Sequence, residues 1–331
     1  MAMRPETFKI IFGRYEGLEK RAVEMIAEAV SEHADYTVTA DCAGQITEQE
    51  LAAHNLIVVG TPASNPILNQ LQKQGGYSFC DQAEGYLLQV TKSIYNEEAQ
   101  MILIAGADER GVLYGAVDFR AYYIPFAENS TDHVGHFCQL FGDQAMAEYE
   151  RTSAPALRRR GLWTWGHVVY DYKKYIDHML RLKMNTLILW NDYVPLNIRD
   201  VIAAAHDAGI RIYLGFSWGW NEARPGYEPK PDFADDQVLQ KIKDGIIRTY
   251  DTHYADLDID GIYFQSFTET KDTTVNGAVI AEQVVKLVNM TAEQLLEKKC
   301  ALELMFGLHA TSVSDKLAYI KKTDPRVMIV W

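Results

Sequence analysis

The stretch Asp260-Gly-Ile-Tyr-Phe-Gln-Ser-Phe-Thr-Glu269 decides the fold. Ile262 to Phe267 is mostly aromatic or branched, as a strand interior is, and the run ends in a polar tip. Side chains alternate along a strand, so Tyr263, Gln265, Phe267 and Glu269 are expected on one side. Ile262 and Phe264 are expected on the other, under covering helices. A carboxylate at the C-terminal tip of a parallel strand stands where barrel enzymes do their chemistry. Taken alone, Glu269 reads as well as a solvated loop residue, and the flanking pattern has to decide.

Outward from this strand, the chain alternates strand and helix from Arg158 onward, the signature of βα units on a parallel sheet. Strands are expected at 160–165, 186–190, 210–216, 261–267, 302–308 and 326–330. Helices are expected at 172–183, 199–208, 237–250, 277–299 and 314–322. An eight-unit barrel takes about 250 residues, and about 170 follow Arg158. The reading is a (β/α)8-type TIM barrel over 158–331, truncated after about strand six.

Before it, 1–125 reads as a small α/β domain. Strands are expected from Phe8, over 36–40, 55–60, 86–90 and 101–105, with helices over 17–33, from Thr47, and from the Gly106–Gly115 turn toward Tyr122. That glycine-rich turn has neither the spacing of a phosphate-binding P-loop nor that of a dinucleotide fingerprint. It reads as a tight turn that lets a helix pack close to the sheet. Residues 126–157 are polar and read as a linker. His133, His136 and Cys138 lie close together there, but no fourth ligand is spaced to complete a zinc site. No metal and no cofactor is therefore expected.

The 331 residues carry a net charge of -13, from 45 acidic and 32 basic side chains. Nucleic acid and anionic membrane surfaces both call for a basic face, so neither is expected as a partner. No apolar run is long enough to span a bilayer, and the first residues lack the apolar core of a secretory signal. A cytoplasmic protein is the expectation, with a secreted or periplasmic form left open. The four cysteines are scattered and read as reduced. Oligomeric state is not legible.

All 6 tryptophans, Trp163, Trp165, Trp190, Trp218, Trp220 and Trp331, fall at or just beyond the C-terminal ends of expected barrel strands. Core packing alone would scatter them. Aromatic faces gathered at one barrel mouth suit the apolar C–H faces of sugar rings, so a carbohydrate is the expected ligand. Polar groups fall at strand ends too: Arg160 opens strand one, Asn191 and Asp192 end strand two, and Glu222 follows strand three. Gln265, Thr268 and Glu269 end strand four, and His309 ends strand five. A salt bridge within Arg158–Arg160 is a close rival for the role of Arg160.

The N-terminal runs Gly60-Thr-Pro-Ala-Ser-Asn65, Glu84-Gly-Tyr-Leu-Leu-Gln-Val90 and Ile102 to Gly115 resemble an accessory domain. It is the small α/β domain that precedes the catalytic barrel of family 20 β-N-acetylhexosaminidases and family 67 α-glucuronidases. Arg160-Gly161-Leu162, Lys183 to Asp192 and Ala203 to Ile212 look like strand one, strand two and the helix with strand three of family 20. The resemblance implies that Arg160 binds sugar hydroxyls. Ser266-Phe-Thr-Glu269 falls at that family's Asp–Glu pair, which implies that Glu269 is the general acid. Thr268 replaces the Asp that orients a substrate acetamido group, so an α-glucuronidase-like glycosidase fits better than an N-acetylhexosaminidase.

The expected reaction is hydrolysis of an O-glycosyl bond, with Glu269 protonating the leaving oxygen. Asp192 is the candidate second carboxylate, unless the partner lies in further strands. The alternative is a non-catalytic carbohydrate-binding protein on a degenerate barrel, and a truncated barrel could itself be inactive. A barrel enzyme of other chemistry ranks last, because no strand-tip lysine or metal-spaced histidine pair is visible.

Overall fold

The computed structural model describes residues 5–130, 140–142, 146–165, 171–190, 194–219 and 231–331. The chain divides into two compact units. The first takes the residues up to Arg160 together with Asp177–Lys183 and Asp207–Gly209; the second takes the rest.

The first unit holds a six-stranded sheet in the order β2-β1-β3-β5-β4-β6. Its strands are β1 (Phe8–Phe12), β2 (Thr39–Cys42), β3 (Asn55–Gly60), β4 (Tyr86–Lys92), β5 (Gln100–Gly106) and β6 (Tyr149–Ser153). The first four in that order pair in parallel, and β4 pairs antiparallel with both β5 and β6. The central strand β3 reads Asn-Leu-Ile-Val-Val-Gly and is buried at every position, as a strand covered on both faces must be. On one face Ile11, Leu56, Val58 and Leu103 pack with Ile67, Leu68 and Leu71 of the helix Pro66–Gln74.

Three differences from the expected elements have local causes. The helix Pro66–Gln74 was not anticipated, although Asn65 caps it by accepting from the Ile67 amide at 3.0 Å and Pro66 opens it. The second strand begins at Thr39 rather than Tyr36, because the Tyr36 hydroxyl accepts from the Phe8 amide at 2.7 Å instead. The stretch expected as a linker contains part of the helix Ile124–Ser130 and all of β6, which completes the sheet edge. His133, His136 and Cys138 lie outside the described residues.

The turn after β5 behaves as expected. Asp108 caps the helix Glu109–Asp118 through the Gly111 amide at 2.8 Å and also accepts from the Glu84 amide. A Cβ at Gly111 would run into the Gly85 carbonyl, so a glycine is needed where helix and strand approach so closely.

The second unit holds a sheet of six strands, all parallel, whose spatial order is their order in the chain. They are β7 (Gly161–Trp165), β8 (Thr186–Trp190), β9 (Arg211–Trp218), β10 (Gly261–Ser266), β13 (Glu303–Gly307) and β14 (Val327–Val330). A short hairpin of β11 (Thr274–Val275) and β12 (Ala278–Val279) precedes the helix Ile280–Lys298. Sequence-adjacent parallel strands joined by helices are the pattern of βα-barrel units. Among the described residues the sheet has six strands, with β7 and β14 at its edges.

The sheet is strongly curled. Trp163 on β7 and Tyr263 on β10 lie three strand positions apart, yet their ring centroids are 5.6 Å apart. A flat sheet would separate those strands by about 14 Å. Outward-facing Leu187, Leu214, Ile262, Phe264, Leu304 and Phe306 are buried. On the concave side Ile188, Tyr213, Tyr263 and Met305 form one cluster, with Trp190, Met328 and Val330 packed against it.

Candidate active site

The site is built on the concave face. Three glycines make its floor possible. A Cβ on Gly215 would meet the Trp190 ring at 2.6 Å, one on Gly261 would meet the Tyr213 ring at 2.7 Å, and one on Gly307 would strike the Tyr263 hydroxyl. Each large ring therefore lies flat across a neighbouring strand because that strand carries a glycine. Trp165 stacks on Trp190 with centroids 5.4 Å apart and planes 4° apart. Trp163 meets Trp165 edge-on at 5.0 Å. Trp163 and Trp165 are each 43% exposed, which leaves aromatic surface open to a ligand.

The polar groups stand beside these rings. The Glu269 carboxylate is 16% exposed, and its Oε1 lies 3.0 Å from His309 Nε2. His309 is also 6.1 Å, ring to ring, from Trp165. Gln265 is buried; its Nε2 donates to the Tyr263 hydroxyl at 3.1 Å and lies 3.0 Å from the same His309 Nε2. One nitrogen thus faces two partners. Carrying a proton the imidazole is a cation beside Glu269, and without a proton on Nε2 it accepts from Gln265. Burial pushes the Glu269 carboxyl above the usual carboxylate range, and the charge of His309 pulls it partly back. A carboxyl whose proton is held more tightly by burial, beside an open aromatic surface, can deliver that proton to a bound ligand.

Of the residues singled out in the sequence, the structure brings Glu269, His309, Gln265, Trp163, Trp165 and Trp190 together. Tyr263 joins them, on the side of β10 where the alternation put it. Asn191, Asp192, Trp220 and Glu222 lie outside the described residues.

Three others are placed differently. Trp218 is fully buried and stacks on Phe264 at 3.6 Å. Strand β9 runs to Trp218 rather than stopping at Phe216, so alternation carries this ring to the outward face. The Thr268 hydroxyl, also buried, accepts from Ser312 Oγ at 2.9 Å. Phe267 leaves the concave side as well and stacks on Phe233 at 4.1 Å, because β10 ends at Ser266 and the alternation ends with it. Trp331 stands just beyond the end of β14, as expected, and is 85% exposed.

Arg160 belongs to the first unit and is engaged there. Its guanidinium donates to the Lys183 carbonyl at 2.8 Å, the Glu84 carboxylate at 2.5 Å and the Tyr114 hydroxyl at 3.0 Å. An ion pair, the rival role weighed for Arg160, is present, with Glu84 as a partner.

Two residues of the site's surroundings carried no sequence signal. Lys316 and Ser312 both reach the backbone or side chain of Thr268 from more than forty residues downstream.

This curled sheet with its aromatic face, following a small α/β unit, is a glycoside-hydrolase-like fold. Residues 27–119 match the family model described as Glycosyl hydrolase family 67 N-terminus. The CpGH84D structure is similar over 99% of this chain and 52% of that one, with a TM-score of 0.65 and 12% identity. A GH138 enzyme targeting pectin rhamnogalacturonan II is similar over 97% and 47%, with a TM-score of 0.56 and 13% identity. The β-N-acetylhexosaminidase from Bacteroides fragilis NCTC 9343 is similar over 100% and 66%, with a TM-score of 0.55 and 13% identity. At such identities the likeness is one of fold. The chain spans about half the length of the first two. No curated protein matches it. Among the described residues no helix is long and apolar enough to cross a membrane.

Proposed function

We propose that the chain is part of a glycoside hydrolase acting on O-glycosyl bonds of oligo- or polysaccharides, with Glu269 as the general acid. One observation carries this reading: the largely buried Glu269 carboxylate, three residues beyond β10, meets His309, whose ring lies 6.1 Å from that of the half-exposed Trp165. A sugar ring stacked on either tryptophan brings a glycosidic oxygen within reach of that carboxyl. Proton transfer from Glu269 to the oxygen releases the leaving group and leaves the carboxylate to His309.

Displacement at the sugar carbon calls for a second group on the opposite face, either a carboxylate or a nucleophile supplied by the substrate. Asp192 is the candidate in this chain. The family 67 match of the N-terminal unit supports an α-glucuronidase-like substrate, and the fold likeness to a β-N-acetylhexosaminidase supports an N-acetylhexosaminide. The test is a panel of aryl glucuronides and N-acetylhexosaminides offered to the protein and to Glu269→Gln. Turnover of one class, lost in the variant, supports the reading; turnover that the variant retains removes Glu269 as the acid.

A second reading is a carbohydrate-binding protein without turnover. It is favoured by Thr268, which occupies the position of the family 20 Asp and has its hydroxyl committed to Ser312. It predicts that the panel binds and that none of it is cleaved.

A further inference from the structure

We infer that Lys316 and Ser312 are positioning residues that fix the turn bearing Glu269 and so set the place of its carboxyl. The inference rests on Glu269 being the acid. The reason it needs fixing is local. Strand β10 ends at Ser266, three residues before Glu269, so the sheet ladder does not hold the backbone there. Acid catalysis needs the carboxyl placed to about 0.5 Å.

Lys316 supplies the missing restraint. Its ammonium donates to the carbonyl of Thr268 at 2.8 Å and to that of Thr270 in a shorter contact. These are the residues immediately before and after Glu269. Ser312 Oγ adds a hydrogen bond to Thr268 Oγ1 at 2.9 Å. Thr268, Ser312 and Lys316 are 1%, 0% and 3% exposed, so these bonds are made away from water, where they are strong. The Phe267–Phe233 stack holds the turn from its strand side.

The choice of residue is informative. Burying an ammonium is costly, and burial here pushes the Lys316 amine below its ordinary range, with Asp272 and Asp315 opposing the shift. An apolar side chain would fill the space at lower cost. Only a multiple donor can hold both peptides that flank Glu269. The same short segment also carries His309, whose imidazole meets the carboxylate itself. One segment, 309–316, which includes the short helix Ala310–Val313, therefore meets the acid at its side chain and holds its backbone.

The test is a double-mutant cycle read by NMR. The imidazole resonances of His309 are followed at one fixed pH in the protein, in Glu269→Gln, and in both with Lys316→Met added. Glu269→Gln should move those resonances, because it changes the group 3.0 Å from the ring. In the Lys316→Met background that movement should fall to about half or less, while Lys316→Arg keeps most of it. Circular dichroism checks that the fold persists; if Lys316→Met does not fold, Ser312→Ala takes its place in the cycle. On any glycoside whose cleavage needs Glu269, Lys316→Met should lower kcat by about tenfold or more with KM unchanged. An undiminished movement of the His309 resonances overturns the inference. A diminished movement with turnover indifferent to Glu269→Gln upholds the positioning role and removes the acid.

Discussion

His309 Nε2 and Glu269 Oε1 lie 3.0 Å apart although 40 residues separate them, because β10 and β13 are neighbours and both residues lie just beyond their strands. The imidazole is the charge that opposes burial at the Glu269 carboxyl. Replacing His309 with Asn removes that opposition, so the Glu269 carboxyl should rise further. A general acid works in its protonated form, so the basic limb of the pH–rate profile should move to higher pH in His309→Asn. The measurement is kcat/KM against pH for the two proteins.

The raised carboxyl also has a stability consequence. The folded state holds the Glu269 proton more tightly than the unfolded state does. The cost of the charged carboxylate is therefore absent below the unfolded pKa and complete above the folded one. Glu269→Gln should raise the Tm at pH 7 and leave it unchanged near pH 3. Thermal melts at the two pH values check this.

The opposite end of β10 should behave differently. Asp260 accepts from the Ile212 amide at 2.8 Å and from His206 at 3.0 Å. Burial pushes its carboxyl up, but these bonds outweigh it and the net direction is down; the bond to Asp260 raises His206. The Asp260 contribution is present above its unfolded pKa and lost as pH falls through the folded one. The His206 contribution is present below its unfolded pKa and lost as pH rises through the raised one. Allowing for partial exposure, Asp260→Ala should cost about 1–2 kcal/mol with sugar binding intact. Denaturant melts beside a binding titration make the comparison.

Two tryptophans should separate packing from binding. Trp218 is sealed against Phe264, so Trp218→Ala should cost about 3–5 kcal/mol. Trp165 is half-exposed, so Trp165→Ala should cost little stability and weaken sugar affinity by about tenfold. Calorimetric melting and glycan titration of both variants distinguish the roles.

These cases show what the sequence could and could not tell. Strand β10 was legible because Ile262 to Phe267 is mostly aromatic or branched and the run ends in a polar tip. The Trp165–Trp190 pair was legible because both rings end strands that stop where the apolar run stops. Trp218 was misread because strand length was underestimated by two residues, which keeps a side chain on the same face but takes it from beyond the tip into the core. Strand β6, Tyr-Glu-Arg-Thr-Ser, is an edge strand and needs no apolar run, so its polarity concealed it. The hold of Lys316 on Thr268 and Thr270 is a contact between distant loops, and no local periodicity reports such a contact.

The central claim is that Glu269 donates a proton to the leaving oxygen, and leaving-group dependence tests it most directly. The protein and Glu269→Gln are compared on two glycosides of the sugar it cleaves, one with a dinitrophenyl leaving group and one with a methyl group. Dinitrophenolate departs without protonation and methoxide does not. The account predicts a kcat/KM loss of about 10²–10⁴ on the methyl glycoside and little loss on the dinitrophenyl one. Equal losses on both, or none on either, would contradict it.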